Sequence, residues 1–219
     1  MRRLSLLLLV MALLAACEHS TYDEGDGRYS YLKVDLALAH TVASGQMDYA
    51  VTDDGDSLLL SPYATAKWAS KADTLYRTLL YYDVSGSQAV KPFSAAQVPV
   101  LSVRDRADVD TMFTDAVNFE SAWVSRGGQY LNMGLLLKTG VKEGVDARQV
   151  IGIVRDSVGY DAQGDAVCYL TLYHRQNGVP EYYSSKVYVS VPLKGNLRAR
   201  KIHLSVNSYT GKVDRVFQY

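Results

Sequence analysis

A few side-chain groupings in the 219-residue chain have the types and spacing to do chemistry, and their surroundings answer most of them. Asp53-Asp54-Gly55-Asp56 gathers three carboxylates in a tight loop, as a hard cation such as calcium requires. An EF-hand loop would continue through alternating ligands to a Glu about twelve residues from its start. Leu58, Leu59 and Leu60 stand there instead, and the segment reads as a hairpin turn. Tyr160 to Asp165 (YDAQGD) reads likewise, with Gly164 supplying the turn geometry. The histidines His19, His40, His174 and His203 never fall within five residues of one another. No G-x-S-x-G, H-E-x-x-H, G-x-x-x-x-G-K-[ST] or C-x-x-C motif occurs. Cys168 lies in an apolar run between Val167 and Tyr169 with no base beside it, the setting of a buried, inert thiol. These patterns supply no catalytic residue, no metal site and no cofactor site.

Tyrosine is the excess that points to binding: 17 Tyr stand against 4 Phe, and a phenol suits a place half in the core and half in water. Strand alternation sets Tyr169 and Tyr173 opposite the Cys168, Leu170, Leu172 face of one run, and Tyr182 and Tyr188 opposite the Val187, Val189, Val191 face of another. If those runs are neighbours, the four tyrosines form one surface for a sugar, a peptide or a protein; otherwise they cover the second face of a sheet or an interdomain contact. A second zone mixes Tyr49, Tyr63, Lys67, Trp68, Lys71, Tyr76 and Arg77 with Asp48, Asp53, Asp54 and Asp56. That mixture suits a glycan or a protein better than a polyanion. The chain balances 23 Lys and Arg against 23 Asp and Glu, so it has no bulk field for nucleic acid.

The elements that must position these residues are strands almost throughout, with period-two alternation and turn residues at short intervals. Tyr29 to Val42 forms one long strand, bulged or coiled, with Leu32, Val34, Leu36 and Leu38 at mixed spacing. MDYAV and SLLL flank the Asp53-Asp54-Gly55 turn, SPYATAKWASKAD is a short helix or an ordered loop, and TLYRTLLYYDV and AQVPVLSV complete about five strands. Arg104 to Asp110 is a charged break that reads as a domain boundary. Seven further runs, from VNFESAWV to KVDRVFQY, are separated by turns at Gly127-Gly128, Tyr160 to Asp165, Gln176 to Gly178, Lys194 to Asn196 and Tyr209 to Lys212. Such spacing predicts an antiparallel β-sandwich.

Arg2, Arg3, the apolar run Leu4 to Leu14 and the small pair Ala15-Ala16 have the layout of a secretory signal, and the run falls short of the roughly 20 apolar residues a spanning helix needs. Leu14-Ala15-Ala16-Cys17 resembles the lipobox of bacterial lipoproteins, which implies acylation of Cys17 and membrane contact through that lipid. Glu18 to Arg28 is an acidic, solvated tether, similar to the surface-export signal of Bacteroidetes lipoproteins. The lipobox, the Asp53-Asp54-Gly55 hairpin followed by Leu58 and Ser61-Pro62, and a W-x-x-x-G-G-x-Y-L-N segment (Trp123, Gly127, Gly128, Tyr130, Leu131, Asn132) together resemble the NigD-like lipoproteins of Bacteroidetes. The resemblance implies an all-β chain: an OB-like five-stranded barrel over residues 29–105 and a sandwich over 110–219, behind a signal peptide (1–16) and a lipidated tether (17–28). The expected role is non-catalytic, with a protein or glycan partner, at the outer membrane; the acidic tether reads either as a plain spacer on the periplasmic leaflet or as a surface-export signal. The alternatives are an envelope hydrolase with acids from separate strands and an immunity-type protein that blocks another exported protein.

Overall fold

Alternating sequence with closely spaced turns leaves little room for helix, and the computed structural model contains, among its described residues, thirteen strands and one 3₁₀ turn over Arg106–Asp108. Residues 32–84, 89–195, 197 and 199–219 are described; the signal sequence, Cys17 and the acidic tether lie outside them. Lys33–Tyr219 forms one compact unit.

The first five strands are β1 (Leu32–Ala43), β2 (Gln46–Thr52), β3 (Ser57–Thr65), β4 (Thr74–Asp83) and β5 (Lys91–Gln97), in the order β3-β2-β1-β4-β5. The two ends of this sheet meet. Val90, just ahead of β5, bridges Leu60 in parallel, donating its N–H to Leu59 O at 2.9 Å and accepting from Ser61 N at 3.0 Å. Closure satisfies edge groups that would otherwise stay open. The result is the curled five-stranded barrel expected from the resemblance. Its interior is narrow and is filled by Ala37, Ala39, Ala50, Ala64, Ala66 and Ala69 around Met47, Leu60, Leu80 and Tyr82. In β1 the small residues therefore take the inner face from Ala37 onward, while Leu38 and His40 point outward, and register shifts beside Thr41 bend the strand.

Two local expectations are refined. Of the two alternatives for SPYATAKWASKAD the ordered loop is the one found, after β3 runs on through Thr65, and it is anchored by buried Ala66 and Ala69. The fifth strand starts ahead of the AQVPVLSV run and takes in only its first two residues, at Lys91–Gln97. Pro99 has no N–H for a ladder, so Val98–Ser102 becomes a connector, bridged to Ser190 at Val100.

The sandwich pairs a five-stranded sheet, β13-β12-β10-β9-β6, with a three-stranded one, β11-β8-β7. These strands are β6 (Val103–Asp105), β7 (Asn118–Val124), β8 (Tyr130–Thr139), β9 (Val150–Tyr160), β10 (Ala166–Arg175), β11 (Tyr183–Pro192), β12 (Lys201–Ser208) and β13 (Gly211–Gln218). Most neighbours are antiparallel, but β10–β12 and β6–β9 are parallel. The first exception follows from β11, which crosses to the other sheet before the chain returns. Leu131, Met133 and Leu135 of β8 pack with Ile153, Leu170, Leu172, Ile202 and Leu204 in the core between the sheets. The charged segment Arg104–Asp110 is built into this body, with Asp105 of β6 gripping Arg155 of β9 through both carboxylate oxygens.

Candidate functional site

The polar residues that the turns deliver converge between barrel and sandwich. Along β4, Thr78, Leu80 and Tyr82 face the barrel interior, which leaves Arg77 on the outer side; it is nevertheless only 5% exposed, because the three-stranded sheet covers it. Its guanidinium donates to both oxygens of Asp53 at 2.6 Å each. It also donates to Asn132 Oδ1 and Ser190 Oγ, each at 3.0 Å. Asn132 returns a bond from Nδ2 to Asp53 Oδ2 at 2.8 Å, and Ser190 Oγ donates to Asn132 Oδ1 at 2.8 Å. The charge is paired and the fork geometry is satisfied bidentately, which a buried guanidinium requires. Asp53 begins the turn after β2, Arg77 sits on β4, Asn132 on β8 and Ser190 on β11, so four segments from both sheet systems meet in one network.

Above this network lies a cleft of about 190 Å³. One wall is the Gly127-Gly128 turn, where Gly128 adopts φ +63° and Ser125 Oγ accepts from the N–H groups of Gln129 and Tyr130. That turn sets the Tyr130 ring 4.2 Å from the Arg77 guanidinium carbon. The opposite wall is Leu38 and Val51, and Asp54 and Arg126 also line the cleft. From Val51 an apolar strip continues over the outside of the barrel. Leu38 pairs with Val51, His40 with Tyr49, and Tyr49 with Leu59, while Leu59 and Tyr63 are 58% and 52% exposed. His40 stacks on Tyr49 at 4.8 Å and bridges Asp48 (2.7 Å) and Asp73 (3.2 Å), and these hydrogen bonds hold its imidazole above the ordinary histidine range.

Residues 99–219, more than half the chain, match the NigD-like C-terminal beta sandwich domain. The chain belongs to the NigD-like family. Solved structures share its fold. A NigD-like immunity protein from Bacteroides caccae ATCC 43185 is 24% identical, with a TM-score of 0.63 over 84% of this chain and 91% of that one. A candidate toxin-related protein from Parabacteroides distasonis ATCC 8503 is 18% identical, with a TM-score of 0.65 over 86% and 93%. A candidate lipoprotein from Bacteroides fragilis NCTC 9343 is 12% identical, with a TM-score of 0.55 over 86% and 96%. No curated protein matches the sequence. In the NigD-like sandwich, the matched segment supplies Asn132, Ser190 and the Gly127-Gly128 turn, while Asp53 and Arg77 come from the barrel ahead of it.

The tyrosines singled out in this NigD-like sequence do not gather. β10 and β11 belong to different sheets, so the condition for a four-tyrosine face is not met. Tyr173 is buried, edge-to-face with Phe113 at 6.0 Å and under the Arg104 guanidinium. Tyr188 packs edge-on to Trp123 at 6.3 Å. Tyr182 is exposed ahead of β11, and Tyr169 lies on the outer face of the large sheet beside His203. Trp68 donates its indole N–H to Ala95 O and packs on Tyr76 against the barrel core. Arg77, grouped by sequence with the Tyr49 to Arg77 zone, lies on the outer side of the barrel but is buried beneath the three-stranded sheet. His174 is 1% exposed at the end of its apolar strand face, held by Asp115 O and the Gln149 side chain. Cys168 is fully buried, and that burial pushes its thiol above the ordinary cysteine value. No helix among the described residues is long and apolar enough to cross a membrane.

Proposed function

We propose that this NigD-like chain is a non-catalytic binding protein of the cell envelope, tethered through Cys17, that docks another protein across the Arg77 cleft and the adjoining barrel strip. One observation carries the reading: Tyr49, Val51, Leu59 and Tyr63 stand exposed on adjacent strands β2 and β3, leading into a preformed cleft lined by charged Asp54 and Arg126. An apolar, aromatic centre with a polar margin is the composition of protein interfaces. The cleft gives the hydrolase alternative no free acid at Asp53, since both its oxygens are held by Arg77. The descriptions of two structural neighbours, as immunity and toxin-related proteins, favour a partner that is itself exported. In that form of the reading, the captured partner loses its own activity on binding.

The test is capture from intact cells with the soluble chain beginning at Glu18, alongside the variants Val51→Glu and Leu59→Glu. Both positions are exposed, so neither change should shift the unfolding midpoint appreciably. Capture of one defined partner by the natural sequence and its loss in both variants is the expected result. Capture that persists in both would remove the strip from the function.

A further inference from the structure

The large sheet carries a second concavity, on the face turned away from the sandwich core: an open groove of about 660 Å³. Strand register builds its floor in rows. Tyr169 of β10 lies between Ser157 of β9 and His203 of β12. One step along, Thr171 faces Ser205, which faces Asp214 of β13, and beyond them Asn207 faces Lys212. Between Tyr169 and Leu170 the β9 partner jumps from Ser157 to Arg155, so Asp156 is the extra residue of a bulge. Bulges re-aim side chains. Here the Asp156 carboxylate is turned onto the floor, where Oδ2 accepts from Thr171 Oγ1 at 2.6 Å. Asn207 donates to Thr114 O at 2.7 Å, which fixes the Thr114 segment as a side wall.

A sugar ring presents an apolar C–H face and a rim of hydroxyls that both donate and accept. The groove offers the complement. The Tyr169 and His203 rings, 5.3 Å apart and tilted by 43°, provide the stacking surface. Asp156 keeps acceptor capacity beyond its bond to Thr171, Ser157 carries a hydroxyl that acts in either sense, and the Thr171 and Ser205 hydroxyls, which donate to Asp156 and Asp214, can still accept. Charge selects further. Lys212 lies 3.2 Å from Asp214 and His203 lies 4.0 Å from it, so the basic groups are matched internally, and an anionic ligand would meet Asp156. The floor runs across β9, β10, β12 and β13 at about 4.8 Å per strand step, and this length suits a chain of sugars better than a single ring. We propose that this groove binds a neutral oligosaccharide, with Tyr169 stacking on a ring and Asp156 accepting from its hydroxyls. The site is separate from the Arg77 cleft and does not depend on the protein-docking reading.

Calorimetric titration of the full-length protein in detergent with cellohexaose, xylohexaose, maltohexaose and mannohexaose tests it. At least one should bind at micromolar to millimolar concentration. Tyr169→Ala and Asp156→Ala should each weaken that binding roughly tenfold, the scale of one lost stacking or charge-assisted contact. Tyr169→Phe, which keeps the ring, should stay within about threefold. Tyr160→Ala, exposed at the end of β9 outside the groove, should change nothing. Unfolding midpoints accompany each variant, and because Asp156 is exposed its substitution reports binding even where Tyr169→Ala disturbs the sheet. Failure of all four sugars at millimolar concentration, or binding that survives Asp156→Ala in the folded protein, overturns the proposal.

Discussion

Asp53 and Asp54 are neighbours in one turn and do different work. Asp53 holds the guanidinium of a buried arginine with both oxygens, while Asp54 is exposed in the lining of the cleft. Asp53→Ala would leave Arg77 covered and without its counter-charge, a loss of about 3–5 kcal/mol, whereas Asp54→Ala should stay within about 0.5 kcal/mol. Urea unfolding would show the first as a lower midpoint at unchanged slope and the second as no shift. Nothing in the D-D-G-D sequence separates the two acids, because the distinction is made by β8 and β11, far along the chain. The turn itself was readable, and so were Gly127, Gly128 and Tyr130 as a motif; that these short stretches meet at one arginine was not. His40 makes a pH-dependent contribution whose sign follows from its raised value. Its bonds to Asp48 and Asp73 favour the charged form in the folded state, so the stabilisation is complete below the ordinary histidine value of about 6.5 and fades as pH climbs through the higher folded value. Thermal unfolding between about pH 5 and 8 should therefore show a decline with rising pH that His40→Gln flattens.

At the scale of elements, the barrel is a case where hydrophobicity and burial part company. Large side chains on β1 to β3 suggest an inner face, yet closure of five strands leaves room for alanine, and Leu38, Val51 and Leu59 are turned outward. Period-two alternation identified the strands because it depends on local geometry; it could not choose the face, because that depends on the curvature of the closed sheet. Ala39→Leu should overfill the interior and cost about 1–3 kcal/mol or more, while Leu59→Ala on the outer face should be nearly neutral, the reverse of what residue size suggests. Equilibrium unfolding of the pair decides between the two faces. The sandwich was more legible, since its seven runs and their turns are local signals. The grouping of four tyrosines failed because it needed β10 and β11 to be adjacent, and sheet assignment is a long-range property.

Over the whole molecule, two cores of unequal composition share one compact unit. The sandwich buries leucines, isoleucines and valines, whereas the barrel buries chiefly alanines, and each missing methylene forgoes about 0.8 kcal/mol of burial. Native-state hydrogen exchange should show barrel amides opening at lower free energy than those of β8, β10 and β12, and Asp53→Ala should widen that difference by loosening the link between the sheets. Equal protection in both regions would contradict this ranking. Anchoring is tested at the same scale: Cys17→Ser should move the protein from the membrane fraction to the soluble one. A last consequence concerns time. β10 waits for its second neighbour, β12, which begins only at Lys201 and arrives joined to β13 as a hairpin. The large sheet is therefore completed only after β11, β12 and β13 have been made, and a chain emerging from a ribosome or an export channel keeps one side of β10 open until Lys201–Ser208 is available.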